Sequence, residues 1–209
     1  MNTTIYLTRH GQTEWNIEKR LQGRGNSPLT KDGIDRAKEL RERIKEIELD
    51  VIYSSPIERA LHTANIIKGE KQLEVITEDG LMEMCFGDYE GRKTDEVMKE
   101  NPEWNIDLIM HGDVNLSAPN GENLGSVRTR VKDAMDKIIE ENRGKNVLIV
   151  AHGITLKALM HYFKDEEVNS EVMGQATLTK IIVDKDNNFN IEFKNDDSHF
   201  TVKNQKLGW

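Results

Sequence analysis

The feature that most restricts this chain is an alternation: apolar runs too short to be helices recur between longer segments of helical period. The runs lie at 3–8 (TTIYLT), 50–55 (DVIYSS), 73–77 (LEVIT), 146–152 (NVLIVAH), 177–184 (TLTKIIVD) and 189–193 (FNIEF), and each reads as a strand. Segment 29–47 repeats Ile34, Ala37, Leu40, Ile44 and Ile47 at three- and four-residue steps, with Thr30 placed as its N-cap. Segment 55–69 carries Pro56 at a first-turn position and Gly69 where a helix should close. Segment 121–142 gathers Leu124, Val127, Val131, Ala134, Met135, Ile138 and Ile139 on one side and breaks at Gly144. Gly125 weakens its beginning by roughly 1 kcal/mol relative to Ala, so the helix is expected to start later.

Strands alternating with helices of this length predict βαβ units with right-handed crossovers. The run VLIV is apolar without alternation, as a strand buried on both faces must be. The expected fold is a three-layer α/β/α sandwich around a mainly parallel sheet, a single domain spanning 1–209. The Asp- and Asn-rich stretch 184–190 predicts a tight turn between antiparallel strands, and so one antiparallel edge strand. Residues 84–121, rich in Gly, Asp and Asn, are expected to form a lid-like excursion. The tail after Phe200, polar apart from Leu207 and Trp209, is expected to be loosely ordered.

Composition removes several classes of function. With 29 Lys and Arg against 37 Asp and Glu, the formal net charge is -8, a field that repels nucleic acid and anionic membranes. Any anionic ligand must therefore be held by a local cluster of cations. Cys85 is the one cysteine, which excludes an internal disulfide and a thiolate metal cage. No signal-peptide pattern and no apolar window of about eighteen residues is present, so a soluble, cytoplasmic protein is expected. The oligomeric state is left open, a homodimer included.

Ligands of parallel α/β sheets bind beyond the carboxyl ends of the strands. There the sequence sets Arg9, His10 and Gly11 after the first run, Arg59 after the second, Glu83 after the third, and His152 and Gly153 after VLIVA. Each residue alone has an ordinary reading: a loop or capping histidine, an exposed arginine, a solvent-facing glutamate. Together they suit one task. Two guanidiniums match phosphate oxygens, and a neutral imidazole is a competent nucleophile toward phosphorus. A second imidazole, protonated by the phosphate's own charge, adds a donor, and a carboxylic acid can protonate a leaving alkoxide. The chemistry this points to is phosphoryl transfer through a phosphohistidine. In it, the attacking imidazole should donate from its other ring nitrogen to a backbone carbonyl, and the carboxylic acid must be protonated when the leaving group departs. The glycines after both histidines are read as letting the backbone approach the ligand.

The stretch LTRHGQTEWN (7–16) resembles the signature of the histidine phosphatase superfamily, which contains the cofactor-dependent phosphoglycerate mutases and many phosphatases. The resemblance continues in order through RLQGRGNSPLTKDG (20–33), IYSSPIERALHTA (52–64), LMEMCFGDYEG (81–91), NGEN (120–123) and VLIVAHG (147–153), with a familiar tail, NDDSHF (195–200). It implies that His10 is the nucleophile, that Arg9 and Arg59 clamp the phosphoryl group, and that His152 holds it through the transition state. It further implies that Glu83 gives a proton to the leaving oxygen and takes one from the attacking water. Asn16, the backbone near Gln22 and Gly23, and Gly153 would complete the substrate pocket, with Glu122 near its mouth. No metal and no cofactor are implied, because the arginines do the work of Mg²⁺.

Mutases of this family hold a second acidic group with a longer, cation-richer insertion. Here Met84 to Gly121 offers Arg92, Lys93 and Lys99 alone, so water is the expected acceptor. The reading is a metal-independent phosphomonoesterase acting on small phosphorylated metabolites, closest to the broad-specificity phosphatases. A phosphoglycerate mutase, or a dedicated phosphoserine or α-ribazole phosphatase, is the alternative. Met82, Met84, Phe86, Trp104, Ile106, Leu108, Ile109 and Met110 read either as an apolar pocket or as lid core. Cys85 is expected to be a small buried hydrophobe. A phosphoester-binding protein without turnover is disfavoured, since every needed residue type is present.

Overall fold

The computed structural model describes residues 1–164 and 173–202; the tail expected to be loosely ordered lies, beyond 202, outside the described residues. In chain order the elements are β1 (Thr3–Arg9), α1 (Glu14–Ile17), α2 (Lys31–Arg43), β2 (Val51–Ser54), α3 (Glu58–Lys68), β3 (Val75–Thr77), α4 (Thr94–Glu100), α5 (Ile106–Met110), α6 (Leu124–Glu141), β4 (Asn146–Ala151), α7 (Gly153–Tyr162), β5 (Leu178–Val183) and β6 (Phe189–Asp196). The strands form a sheet in the order β3-β2-β4-β1-β5-β6, in which β1, β2, β3 and β4 pair in parallel. The strand that runs against them, β5, sits one place in from the edge, because the turn at 184–188 folds β6 back onto it.

Alternate side chains of the central strands feed two apolar layers. Ile5, Leu7, Val147 and Ile149 pack with α6, α7 and the excursion, whereas Tyr6, Ile52, Leu148 and Val150 pack under α2 and α3. Each fully buried Leu, Ile or Val contributes about 1.5–3 kcal/mol, so β4, with five of its six residues buried, is the most strongly specified strand. The excursion shares the first layer: Trp104 is buried there, with the rings of Phe86 and Tyr89 edge-on to it at 6.2 and 5.2 Å.

Helix ends follow local chemistry. Thr30 caps α2 by accepting from the Gly33 amide, and Asn123 caps α6 by accepting from the Ser126 amide. The α6 helix does begin later than residue 121, but Gly125 lies inside it, where its amide donates to the Val114 carbonyl and a Cβ would stand 3.1 Å from that oxygen. Pro56 lies just outside α3 instead of in its first turn, because Ile57 holds the N-cap position; Gly69 closes the helix at φ 55°.

Gly11 departs most from expectation. A Cβ on Gly11 would stand 2.6 Å from the Gly33 carbonyl oxygen, and one on Gly33 would stand 2.2 Å from the Gln12 carbonyl oxygen. The pair lets the loop after β1 lie against the first turn of α2, so Gly11 serves backbone packing and not ligand approach. Replacing Gly33 by Ala is expected to cost about 1–3 kcal/mol through overpacking, seen as a lower urea midpoint at unchanged slope. An unchanged midpoint would show that this contact does not constrain the fold.

Candidate functional site

Register brings the two histidines together. Arg9 pairs with Ala151 across β1 and β4, and the His10 amide donates to the Ala151 carbonyl at 3.0 Å, so the residues after each strand emerge side by side. Their imidazole centroids lie 5.1 Å apart and both rings are buried. The β2 strand ends beside β4, and α3 leaves it with Arg59 in its first turn, 2% exposed.

The hydrogen bonds fix the tautomer of His10. Nδ1 lies 2.7 Å from the Gly11 carbonyl oxygen, which can only accept, so Nδ1 carries the proton. Nε2 accepts from Arg59 Nε at 3.2 Å, and a guanidinium can only donate, so Nε2 is unprotonated and its lone pair is engaged by Arg59. Burial, reinforced by Arg59 and Arg9, holds His10 well below the usual imidazole value. An unprotonated Nε2 therefore persists into acid.

Arg59 is held at both ends of its fork. Its terminal nitrogens donate to the carbonyls of Gly25 and Gly23, each at 2.7 Å, and Thr63 Oγ1 donates to the Arg59 carbonyl. Burial, with repulsion from Arg9, pulls Arg59 down to about 10 against the attraction of Glu83 and Glu90, so it stays charged near neutrality. The loop that receives it is tied by Glu90, whose carboxylate accepts from the amides of Arg24, Gly25 and Phe86. Gly23 sits at φ 52°, and a Cβ there would meet Glu90 Oε1.

Arg9 is less satisfied. Nη1 reaches the Met173 carbonyl at 3.4 Å, while the buried Nε has no partner. A Cβ on Gly153 would lie 3.4 Å from Arg9 Cζ, in ordinary contact with the guanidinium that packs against it. Loop 173–177 backs Arg9 through the Ala176 amide, which donates to the Arg9 carbonyl. The tail motif grips that loop: Asn195 Oδ1 accepts from Gly174 N and Thr177 Oγ1, and His199 Nε2 donates to the Ala176 carbonyl.

His152 lies behind His10, wholly buried, and neither ring nitrogen has a partner. Burial, then the charge of Arg59, holds it well below the usual imidazole value. An orphaned buried polar group costs about 1–3 kcal/mol. Three such atoms, Arg9 Nε and both nitrogens of His152, belong to the residue before His10 and to the ring 5.1 Å from its own.

Glu83 enters from the segment after β3 and sits against the amino end of α7. Its carboxylate accepts from the amides of Met84 (2.9 Å), Thr155 (3.2 Å) and Ile154 (3.3 Å). Thr155 Oγ1 lies 2.7 Å from the Met82 carbonyl and 3.2 Å from Glu83 Oε1. One hydroxyl hydrogen serves the nearer carbonyl, which leaves an oxygen lone pair facing Glu83, an acceptor for a carboxyl proton.

A cleft of about 510 Å³ is lined by Arg9, His10, Arg59, Glu83 and Gly153, together with Asn16, Gln22 and Gly23. Thr13 Oγ1 lies 3.0 Å from both Asn16 Oδ1 and Gln22 Oε1, tying two of these lining residues to one hydroxyl. His152 stands behind the wall and does not line it. The other walls are Leu21, Phe86, Ile106 and Ile154, with Arg20 and Thr94. Of the excursion's apolar set, Phe86 and Ile106 thus reach the cleft, Met84, Trp104, Ile109 and Met110 are core, and Leu108 is exposed. Arg20 and Thr94 carry no signal that sequence reasoning used, although Arg20 lies inside the quoted RLQG. Glu122 lies off the cleft, paired with Arg130 and Arg24. Cys85 is half-buried and not a core residue, because its sulfur sits in the turn to Gly87, whose amide donates to it at 3.4 Å. Among the described residues, no three His, Cys, Asp or Glu side chains gather as metal ligands would, and no helix is long and apolar enough to cross a membrane.

A family model described as histidine phosphatase superfamily (branch 1) matches residues 5–197. Probable phosphoglycerate mutase GpmB of Escherichia coli O1:K1 is 35% identical over 156 residues, which are 75% of this chain and 72% of that protein. The solved structure of Bacillus stearothermophilus YhfR superposes with a TM-score of 0.85 at 38% identity, covering 94% of this chain and 98% of the other. The phosphoserine phosphatase of Entamoeba histolytica, solved in complex with phosphoserine, superposes at 0.81 with 28% identity over 94% of this chain and 98% of its own.

The buried imidazoles set an acid limit on stability. Folded His10 and His152 resist protonation below their usual value of 6.5, while the unfolded chain takes up both protons there. Their contribution is thus fully present above about pH 6.5 and is lost as pH falls below it. The urea midpoint is expected to drop between about pH 7 and pH 5, and to drop less steeply in His152→Asn. An identical slope in that variant would place the acid sensitivity elsewhere.

Proposed function

The chain belongs to branch 1 of the histidine phosphatase superfamily, and on that premise we propose that it is a metal-independent phosphomonoesterase working through a phosphohistidine at His10. The observation that carries the reading is the arrangement around one imidazole. His10 lines a cleft beside Arg9, whose buried Nε has no partner, and the unpartnered ring of His152 stands behind that wall, 5.1 Å from the His10 ring; both leave hydrogen-bonding capacity for phosphoryl oxygens.

In the proposed reaction the substrate phosphate enters between Arg9 and Arg59. Its negative charge draws a proton onto His152, which then donates alongside the guanidiniums. As the Arg59 Nε–H passes from Nε2 to a phosphoryl oxygen, the freed Nε2 lone pair forms the N–P bond while the P–O bond to the leaving group breaks, and Glu83 passes its proton to the departing oxygen. Nδ1–H stays on the Gly11 carbonyl throughout, so ring orientation costs nothing during attack. Water then attacks phosphorus, Glu83 takes its proton, and the N–P bond breaks to release phosphate and neutral His10. Fixed cations that need not reorganise as charge spreads over the equatorial oxygens supply the largest share of the acceleration.

Hydrolysis is favoured over mutase transfer by where the excursion spends its cations. Arg92 pairs with Glu100 and Lys93 with Glu96, Lys99 is exposed, and none of them lines the cleft. A second acidic group on a substrate meets Arg20 there, already bonded to the Gly91 carbonyl and paired with Glu18. Leu21, Phe86, Ile106 and Ile154 suit a range of small organic bodies, consistent with broad specificity.

The enzyme is expected to release p-nitrophenol from p-nitrophenyl phosphate in EDTA. His10→Ala should lower kcat by about 10³-fold or more and abolish the acid-labile phosphoenzyme, and Arg59→Ala should cost about 10²–10³-fold. A silent wild type in EDTA that recovers with a divalent cation would end the metal-independent reading. Faster conversion of 3-phosphoglycerate to 2-phosphoglycerate than release of phosphate would make the enzyme a mutase.

A further inference from the structure

We propose that Arg130 and Glu122 form a positioning pair for Glu83, aiming its carboxyl at the leaving oxygen without touching substrate; this rests on the reading that Glu83 carries the leaving-group proton. Both residues lie off the cleft, and the reaction as described uses neither.

The geometry is a cradle around the Glu83 backbone. From α6, Arg130 Nη1 donates to the carbonyls of Gly80 (2.9 Å) and Met82 (2.7 Å), and Nη2 donates to that of Glu83 itself (3.1 Å). Its remaining donors grip Glu122: Nε to Oε1 at 3.0 Å and Nη2 to Oε2 at 3.1 Å. Oε2 of Glu122 in turn accepts the Cys85 amide at 2.9 Å. One ion pair therefore holds the chain on both sides of Glu83, three carbonyls from the guanidinium and one amide from the carboxylate. Glu122 Oε1 also lies 3.3 Å from Arg24, but that side chain is exposed and the loop that holds Arg59 is fixed by Glu90, so the cradle does not carry the phosphate clamp.

An ordinary ion pair on a surface contributes little to stability, and its loss is felt evenly by everything the enzyme does. This pair is largely shielded, each side chain 19% exposed, and its bonds converge on one short segment that, after a single 3-10 turn at Asp79–Leu81, has no regular secondary structure to fix it. Proton transfer needs the donor within about 2.6–3.2 Å of the oxygen it serves. A loosened 80–85 segment would spoil that reach while leaving Arg9, His10, Arg59 and His152, which rest on other elements, in place.

The test separates proton delivery from all else by changing the leaving group. p-Nitrophenolate departs unprotonated, whereas the alkoxide of glycerol 2-phosphate needs the proton. The comparison uses kcat/KM, which stops at the first irreversible step and so excludes the later attack of water. In Arg130→Lys and in the milder Glu122→Gln, kcat/KM for glycerol 2-phosphate is expected to fall by about 10²-fold, against less than about threefold for p-nitrophenyl phosphate. Because both substrates are read on the same preparation, the ratio is independent of the fraction folded. Glu83→Gln is the reference and should show the same selective loss. If Glu83→Gln is selective but both other variants lose activity on the two substrates in proportion, or lose none, the positioning pair is overturned alone. If Glu83→Gln is itself unselective, the proton-carrier reading fails and the pair falls with it.

Discussion

Arg59 donates from all three of its nitrogens at once, to the imidazole of His10 and to the carbonyls of Gly23 and Gly25, and most of the site is arranged to make that possible. Taking a guanidinium out of water costs several kcal/mol unless its donors are met. The carbonyls that meet them belong to a loop with no regular structure, so the loop needs its own support, and Glu90 provides it by accepting three amides. Gly23 at positive φ lets the chain turn tightly enough to present its carbonyl inward with Glu90 beneath it. Thr63, one turn after Arg59, donates to the Arg59 carbonyl and accepts the Gly11 amide, which joins α3 to the loop after β1. A buried cation thus dictates the conformation of two loops distant in sequence.

The same burial decides the protonation states. Arg9 and Arg59 both lose water and repel one another, yet a guanidinium starts so high that Arg59, at about 10, remains a cation. Imidazole starts near neutrality, and the same desolvation with two cations beside it leaves both histidines neutral. For His10 this is the form with an unprotonated Nε2. For His152 it is a resting state that an arriving anion can reverse, since a phosphate would turn the local potential from positive to negative. The single carboxylate among them, Glu83, draws its side-chain hydrogen bonds from the amides at the start of α7, while Arg130 reaches its backbone carbonyl.

Much of this was legible because strands end where ligands bind. The six apolar runs became the six strands of the sheet, and the rule that sites gather at their carboxyl ends placed Arg9, His10, Arg59, Glu83 and Gly153 around one cleft. The tautomer of His10 followed from chemistry alone, although its acceptor, the carbonyl of the next residue, did not. What the sequence hid was the set of contacts made over distance. Gly11 looked like a ligand-facing glycine, but it must lack a side chain because the Gly33 backbone passes behind it. Glu122 and Arg130 are separated from Glu83 by 39 and 47 residues, and no local pattern reveals that a helix side chain reaches back to three carbonyls. Cys85 looked like a core residue by type, but its neighbours form a turn.

Once a phosphohistidine has formed, its fate depends on what keeps the first product in place. Transfer back to a different oxygen requires that product to stay and turn, and a strongly anionic body is retained by cations on the wall opposite the clamp. In this chain that wall is mostly apolar, and the excursion that supplies it has committed Trp104, Met110 and Ile109 to packing against the sheet. Its shape is then fixed by the core, so it cannot readily rearrange to bring Arg92 or Lys93 inward without breaking their pairs with Glu100 and Glu96. On the proposed reading, a product alcohol is held by little more than shape and leaves, while water reaches a phosphorus already centred between Arg9, Arg59 and His152. On that reading the same groups would serve either outcome, and the economy of charge in a segment some eighty residues downstream would tip it toward hydrolysis.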